Sequence, residues 1–464
     1  MTETAQAAPA GAAAPTRTAR APRRSPTDLT FRVDEALVER RASTEPDWLA
    51  ADRRAALARF AELPVESNRL YTPYVDLRAA DLGDVRAYET TAQEPERDGG
   101  RLPEGAAGLA EVDEDRIGAL VVDDEARIVG VTIQPLGALI RADDESARRL
   151  LGDAASLPAD DKLAQLTRAA WNQGLVVRVP AGARLERPIV LRWRAGAPGH
   201  ALITRTIVEL GDGASASIVE ELVPSAPAGG GQSLFTGTLE VVLGRNAELA
   251  VSSIQEFGPS QVTFQHRNAR LGEGASLHWA LAQLGSRLVR SRVDNQLRGD
   301  RSSAEQVEIV FGSEEQLFDL TSYTRHAGRD TTGNLLSKGV LLDRSRSYMK
   351  GLITIEKSAV GTDSFLGEFG MNLSKQARAV AIPSLEIDQP DCRRAAHSSS
   401  VGPIDEAQLF YLESRGIPAD EARKFIVLGF LEPVVARVPL ADAQDRLRGL
   451  LDAKWAGSWV PTAA

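Results

Sequence analysis

Between Gly174 and about Asp388 the chain is a succession of short β-like runs with no helical signal between them. LVVRV, PIVLRW, ALITRTIVEL, GTLEVVLG, QVTFQHRNARLG, SLHWALAQLG, SAEQVEIVFG and YMKGLITI are among them. A doubly wound parallel sheet needs a helix after nearly every strand, so that class is disfavoured. A loosely repeated turn punctuates the runs: GDGA at 211–214, GRNA at 244–247 and GEGA at 272–275, with a related break at Gly299–Ser302, spaced about thirty residues apart. Glycine in such a turn supplies a positive φ, and a small alanine lets the next strand start close to its neighbour. Many short strands fit a solenoid or a sandwich. Quasi-periodic turns without Greek-key-length connections favour the solenoid.

The flanks differ from this core. Residues 1–27, rich in Ala, Pro and Arg, have the composition of a disordered tail and lack the apolar stretch of a secretory signal. Residues 28–173 form a mixed, largely helical region. Thr44–Pro64 carries Trp48, Leu49, Ala56, Leu57, Phe60 and Leu63 near helical period, Arg116–Ile140 reads as two or three short strands, and Asp160–Asn172 reads as a helix. The β core is expected over 174–398 and a helical domain over 399–464. In the latter, Asp405 caps a helix closed by Gly416, a second helix starts after Pro418 and breaks near Pro433, and a third spans Leu440–Trp455.

The net charge of −10, with no basic stripe, argues against nucleic acid as a partner, and no apolar run is long enough to span a bilayer. There is one cysteine, Cys392, so no internal disulfide is available, which suits a reducing cytoplasm. One thiolate also cannot hold an iron–sulfur cluster, which takes four ligands. No phosphate-binding GxxxxGK[ST], HExxH, CxxC or GxSxG occurs, so no common catalytic signature marks an enzyme. Of the five histidines, His200, His266, His278 and His326 have no metal-ligand spacing. His397 differs in its setting: its neighbours Ala395, Ala396, Ser398, Ser399 and Ser400 are small and leave an imidazole accessible. It is either a ligand for a borderline metal or an exposed junction histidine without a role. Cys392 lies five residues earlier, on a segment that does not fix their geometry. Phe410, Tyr411 and Leu412 form an apolar run in the predicted helix, either core packing or an exposed partner anchor.

The stretch SVGPIDEAQLFYLESRGIPADEARKFIVLGF at 400–430 resembles the SufB/SufD family of SUF iron–sulfur cluster assembly scaffolds. In the family a histidine precedes small residues and then a helix, matched here by His397 and by Gln408, Leu409, Phe410, Tyr411, Leu412, Arg415, Gly416 and Ile417. Weaker likeness lies at 174–191 and 326–355, and in the helix EPDWLAADRRAALARFAELP. The resemblance implies a right-handed parallel β-helix core flanked by helical domains. It implies a non-catalytic scaffold, paired with a SufB-type subunit and docked through its C-terminal helices to a SufC-type ABC ATPase that hydrolyses ATP. Gln408, Phe410, Tyr411, Leu412, Arg415 and Gly416 would carry that docking. A transient iron–sulfur cluster would be shared across the subunit interface, with His397 as a ligand, and none would be held by this chain alone; Cys392 has no firm counterpart in the family and is a weaker metal-ligand candidate through its place five residues before His397. SKQARAVAIPSLEIDQP lacks the cysteine of B-type chains, and HSSSVG resembles the D-type pattern, so the likeness is to the D-type subunit. The alternatives are a B-type paralogue or a β-helix interaction module with no metal role; a polysaccharide-acting β-helix enzyme is opposed by the acidic pairs Asp143–Asp144 and Asp160–Asp161 lying outside the strands.

Overall fold

The computed structural model describes residues 24–89, 100–154, 157–225 and 229–457. The expected tail at 1–27 lies outside them up to residue 23; beyond that, Arg24 donates to the carbonyls of Leu77 and Ala80, each at 2.6 Å. The helices are α1 (Glu35–Ala42), α2 (Asp47–Glu62), α3 (Asp124–Ile128), α4 (Leu136–Ala142), α5 (Asp144–Arg149), α6 (Lys162–Ala170), α7 (Glu406–Ser414), α8 (Ala419–Val435) and α9 (Ala441–Trp455). Four short strands precede the core: β1 (Arg86–Ala87), β2 (Gly108–Asp113), β3 (Arg116–Val122) and β4 (Thr132–Pro135). The core strands are β5 (Gln173–Val179), β6 (Ile189–Ala195), β7 (His200–Leu210), β8 (Ser215–Pro224), β9 (Ser233–Leu243), β10 (Glu248–Gln255), β11 (Gln261–Leu271) and β12 (Ser276–Gln283). They continue as β13 (Leu288–Leu297), β14 (Ser303–Gly312), β15 (Leu317–His326), β16 (Thr332–Leu341), β17 (Arg346–Ile355), β18 (Asp363–Asn372), β19 (Arg378–Ile387) and β20 (Arg394–Gly402).

Successive core strands alternate between two sheets. One runs β19-β17-β15-β13-β11-β9-β7-β5-β4, the other β20-β18-β16-β14-β12-β10-β8-β6-β2-β3. Every core pairing is parallel, so the chain climbs a β-solenoid of about eight turns. The repeated turn builds one side of it. Gly182, Gly213, Asn246, Gly274, Arg301, Asp330 and Gly361 all take positive φ, between 52° and 77°. The N–H of each donates to a carbonyl one turn further on, at 2.7–2.9 Å. The first glycine of a turn has a separate reason: a Cβ on Gly299 would stand 2.1 Å from the Glu273 nitrogen of the turn below. Glycine is therefore needed twice per turn, for torsion and for close approach. Where Arg301 and Asp330 replace glycine, the torsion persists and the stacking hydrogen bond holds it.

Alternate residues of each strand point inward. Leu175, Leu191, Trp193, Leu239, Val251, Trp279 and Leu281 fill the N-terminal half of the interior, and Val310, Phe318, Leu341 and Met349 the later turns. The two outer faces are clad differently. Val219, Ile254, Ala280, Ile309 and Val340 of one sheet pack against Val427 and Leu431 of α8 and Leu447 and Leu451 of α9. The other sheet meets α2, α4 and α6 through Ile203, Ile207 and Phe264, and then through a buried ionic layer. In that layer Arg205 pairs with Glu240 at 2.5 Å, both fully buried, and Arg290 pairs with Glu66 and Asp319 at 2.6 and 2.8 Å.

The expected strands over Arg116–Ile140 are β3 and β4, with α3 between them; Leu136–Ile140 belongs instead to α4, whose Leu136, Leu139 and Ile140 are all buried on the helix side facing the solenoid. The expected break near Pro433 does not occur: α8 runs through it to Val435. Proline removes the N–H that would donate to the Gly429 carbonyl, so the helix forgoes one bond there, and the packing of Val427, Leu431, Val434 and Val435 against the solenoid carries α8 through it.

Gly299→Ala is expected to lower the melting temperature sharply, because the methyl group meets rigid backbone. Arg301→Gly, which removes a side chain from the left-handed region, is expected to raise stability by about 1 kcal/mol. Thermal denaturation of the two variants beside wild type tests both; a neutral Gly299→Ala would contradict the stacked-turn account.

Candidate functional site

The N-terminal end of the solenoid is closed by antiparallel pairing. β3 folds back on β2, and β4 runs against β5. Among the described residues the C-terminal end is open: β19 pairs only with β17, and β20 only with β18. Their inward-facing side chains form a mouth.

His397 is on this last rung. It lies within strand β20, opposite Leu366 of β18, rather than at an irregular junction. Leu366 and Ala395 belong to one interior cluster with Leu335, Ile353 and Ile355. Opposite residues of in-register strands share a face, so His397 shares the inward face, and it is exposed because among the described residues no strand stacks beyond β20. Ser399 and Val401 continue that face. Val401 and, on β19, Ile387 are 40% and 45% exposed, although their positions in earlier turns hold core residues. Cys392 is half-buried in the turn between β19 and β20, against the same interior cluster. Among the described residues no three His, Cys, Asp or Glu side chains group as a metal site. His397 and Cys392 are thus near one end of the solenoid without forming a complete coordination shell.

One residue at the mouth was missed in the sequence. Glu368 of β18 stands opposite Ser399, on the inward face and one strand below His397. Its carboxylate crosses to the other sheet, where Oε2 accepts from the Ile382 N–H at 2.7 Å. It is 1% exposed. Burial pushes its pKa up to about 8, against the opposing effects of that hydrogen bond and of Lys350. The available signal was a lone acid at an inward position of an alternating strand.

The other histidines have local explanations. His326 is buried between Thr331 and Ser364, at 2.8 and 3.0 Å, and burial holds its pKa down to about 4. His266 is bonded to Asp294 at 2.6 Å within the ionic layer. His278 is exposed beside Glu305, and His200 stacks on Tyr88.

The second surface is α7. Asp405 caps it by accepting from the Ala407 N–H, and Gly416 ends it at φ 85°. No α7 residue is buried. Phe410 and Tyr411 are 72% and 57% exposed, Phe425 of α8 lies exposed nearby in sequence order, and Arg415 places its guanidinium 5.2 Å from the Tyr411 ring centre. Gln408, Tyr411 and Leu412, with Ala407 and Ile426, line an open depression of about 460 Å³. The apolar run is an exposed ridge and not core packing.

The site surfaces are thus those of a parallel solenoid with one capped end, one open end among the described residues, and an exposed apolar helical ridge. Residues 193–430 match the family described as SUF system FeS cluster assembly, SufBD core domain. An iron–sulfur cluster assembly SufBD family protein of Staphylococcus epidermidis is 24% identical over 442 residues, covering 90% of this chain and 93% of that one. Relatives of the same description in Staphylococcus saprophyticus and Staphylococcus aureus are 24% identical over 421 residues, covering 87% of this chain and 89% of theirs, and 23% over 442, covering 90% and 93%. The chain belongs to the SufBD family of iron–sulfur cluster assembly proteins. Among the described residues no helix is long and apolar enough to cross a membrane.

Glu368 gives the fold a pH signature. Its folded pKa of about 8 exceeds the ordinary 4.5, so between these values the unfolded chain loses its proton first and stability falls as pH rises. Glu368→Gln is expected to flatten that fall, melting close to wild type at pH 5 and above it at pH 8. Equal offsets at both pH values in calorimetry would mean that the acid is not held protonated.

Proposed function

We propose that this chain is the D-type subunit of a cytoplasmic SUF complex, a non-catalytic scaffold that pairs with a B-type solenoid through its open end. The observation that carries this reading is the position of His397 on the inward face of a terminal strand that, among the described residues, is paired along one edge alone. A strand edge has free backbone donors and acceptors and joins a second edge readily. A partner solenoid seated there would cover Ile387 and Val401 and enclose His397. The imidazole would then be one ligand of a nascent cluster whose thiolates come from the partner, since this chain has only Cys392 to offer. Iron and sulfide are cargo here, delivered and passed on. Cys392, packed partly into the interior, is a subsidiary ligand candidate beside the mouth.

The α7–α8 ridge is the docking surface for a SufC-type ABC ATPase in this reading. Phe410 and Tyr411 have the size and exposure of interface anchors, Gln408 and Leu412 line the depression beside them, Arg415 orders Tyr411, and Gly416 stops the helix. ATP hydrolysis falls to that partner.

Co-expression with a B-type and a C-type subunit tests both surfaces. His397→Ala is expected to leave the complex intact and to lower the cluster assembled on it. Loss of the complex would instead make His397 an interface residue. Phe410→Ala is expected to weaken ATPase capture by about 2 kcal/mol, roughly thirtyfold, without changing the melting temperature of the free chain. Unchanged capture would remove α7 from the interface.

A further inference from the structure

We propose that the ATPase docked on α7 receives Phe410 in an apolar pocket rimmed by two cationic side chains, lysine or arginine, that face Glu406 and Glu413. The inference rests on the docking reading given above and assigns the chemistry of the partner's side. Residues three and four apart share a face of a helix. Glu406, Phe410 and Glu413 are spaced by four and then three within α7, so they form one stripe with the aromatic ring between the two carboxylates. At about 1.5 Å of rise per residue the two acids are roughly 10 Å apart along the axis, one helical turn to either side of the ring. All three residues are exposed, Phe410 at 72%. Tyr411 and Arg415, four residues apart, form a separate stripe in which the guanidinium lies against the ring.

The fold accounts for one of these acids and not for the other. Glu406 is in the first turn of α7, where a carboxylate is favoured beside the free N–H groups. Glu413 is in the last turn, where the same dipole opposes it, and that turn contains no basic residue. Its neighbours three and four places away are Leu409, Phe410, Gly416 and Ile417, none of them a cation. Two other exposed acids of the helical domain are paired, Asp420 with Arg423 at 3.2 Å and Asp452 with Lys424 at 2.8 Å. Among the described residues Glu406 and Glu413 have no ion pair. An acid held against the helix dipole, one turn from an exposed phenylalanine, is accounted for by a cation on the surface that covers both. Charges rimming an apolar anchor steer encounter and fix register, while the anchor sets how long the complex lasts.

Association of a purified C-type ATPase with the immobilised full-length chain is followed at about 20 mM and about 500 mM salt, the higher of which screens most long-range attraction. The wild-type association rate is expected to fall roughly tenfold or more between the two. Glu406→Gln/Glu413→Gln is expected to associate at low salt near the wild-type high-salt rate, with little further dependence on salt. Glu413→Gln alone, which relieves the helix dipole, is expected to lose part of the rate at an unchanged or higher melting temperature. Glu145→Gln/Glu186→Gln, which removes the same charge from α5 and the β5–β6 turn, is expected to keep the wild-type rate. If the α7 double variant keeps the wild-type rate and salt dependence, the carboxylates only keep an exposed ring soluble, and the cationic rim is overturned. Equal losses in the two double variants overturn it as well, since net charge alone would then set the rate. Phe410→Ala is expected to keep the salt dependence and to dissociate about thirtyfold faster. No binding by the wild type, or unchanged dissociation of Phe410→Ala, overturns the docking reading itself.

Discussion

In-register parallel hydrogen bonding is the constraint on which the rest of the molecule depends. Each core strand pairs with the strands two places before and after it in the chain. Each turn is thus completed by the next, and among the described residues nothing completes the last. The N-terminal end escapes because the chain arrives there with antiparallel strands to spare, β3 against β2 and β4 against β5. At the other end the chain leaves as α7, and β19 and β20 keep one open edge each. Such edges are liabilities that most proteins blunt. Here Pro383 blunts one position of β19 by removing an N–H, while β20 carries only small residues around His397. An edge kept this regular, with inward residues such as Ile387 and Val401 left bare, has the unpaired backbone and exposed apolar side chains on which the proposed pairing rests.

The two claddings hold that end in place by different physics. The α8–α9 layer rests on an apolar face, where burial is favourable but does not select one position sharply. The N-terminal layer is anchored by charges. Glu66 and Asp161 reach from it onto Arg290 and Arg292, and Asp294 joins Arg292 to His266. Desolvation offsets much of what such pairs gain. Their effect is positional, since sliding the layer by one residue would strand several charges without partners. Lys454 does the same for α9, donating to the Phe311 carbonyl and Gln316 at 2.7 Å, at the cost of a pKa driven by burial down to about 7.

Much of the architecture was legible because its signals are local. A Gly-x-(Gly/Asn)-Ala turn must put its third residue at positive φ, and the stacked turns do so. The same rule fitted the break at Gly299–Ser302 only loosely and could not find the turn at Asp330; at Arg301 and Asp330 a hydrogen bond to the next turn overrides the torsional preference of the residue. Proline 433 misled for a related reason: the bond it costs is offset by the packing of Val427, Leu431 and Val434 on the solenoid, which the sequence around it does not show. Exposure of Phe410 and Tyr411 was also out of reach, because a helix that packs by few residues has no periodic stripe to reveal which side is free. Family likeness supplied what local physics could not, the expectation that His397 belongs to a shared site.

The strand register then changes what kind of residue His397 is. An exposed histidine among serines is ordinarily a solvated surface group. Opposite Leu366, it is an interior position whose covering turn is missing. The same periodicity brings in Glu368, which sequence spacing alone, with the two residues twenty-nine positions apart along the chain, gave no reason to join to it. A solenoid converts distances of one turn in sequence into contacts of one strand in space. Residues a turn apart along the chain therefore meet at its end, as His397 on β20 and Glu368 on β18 share one inward face.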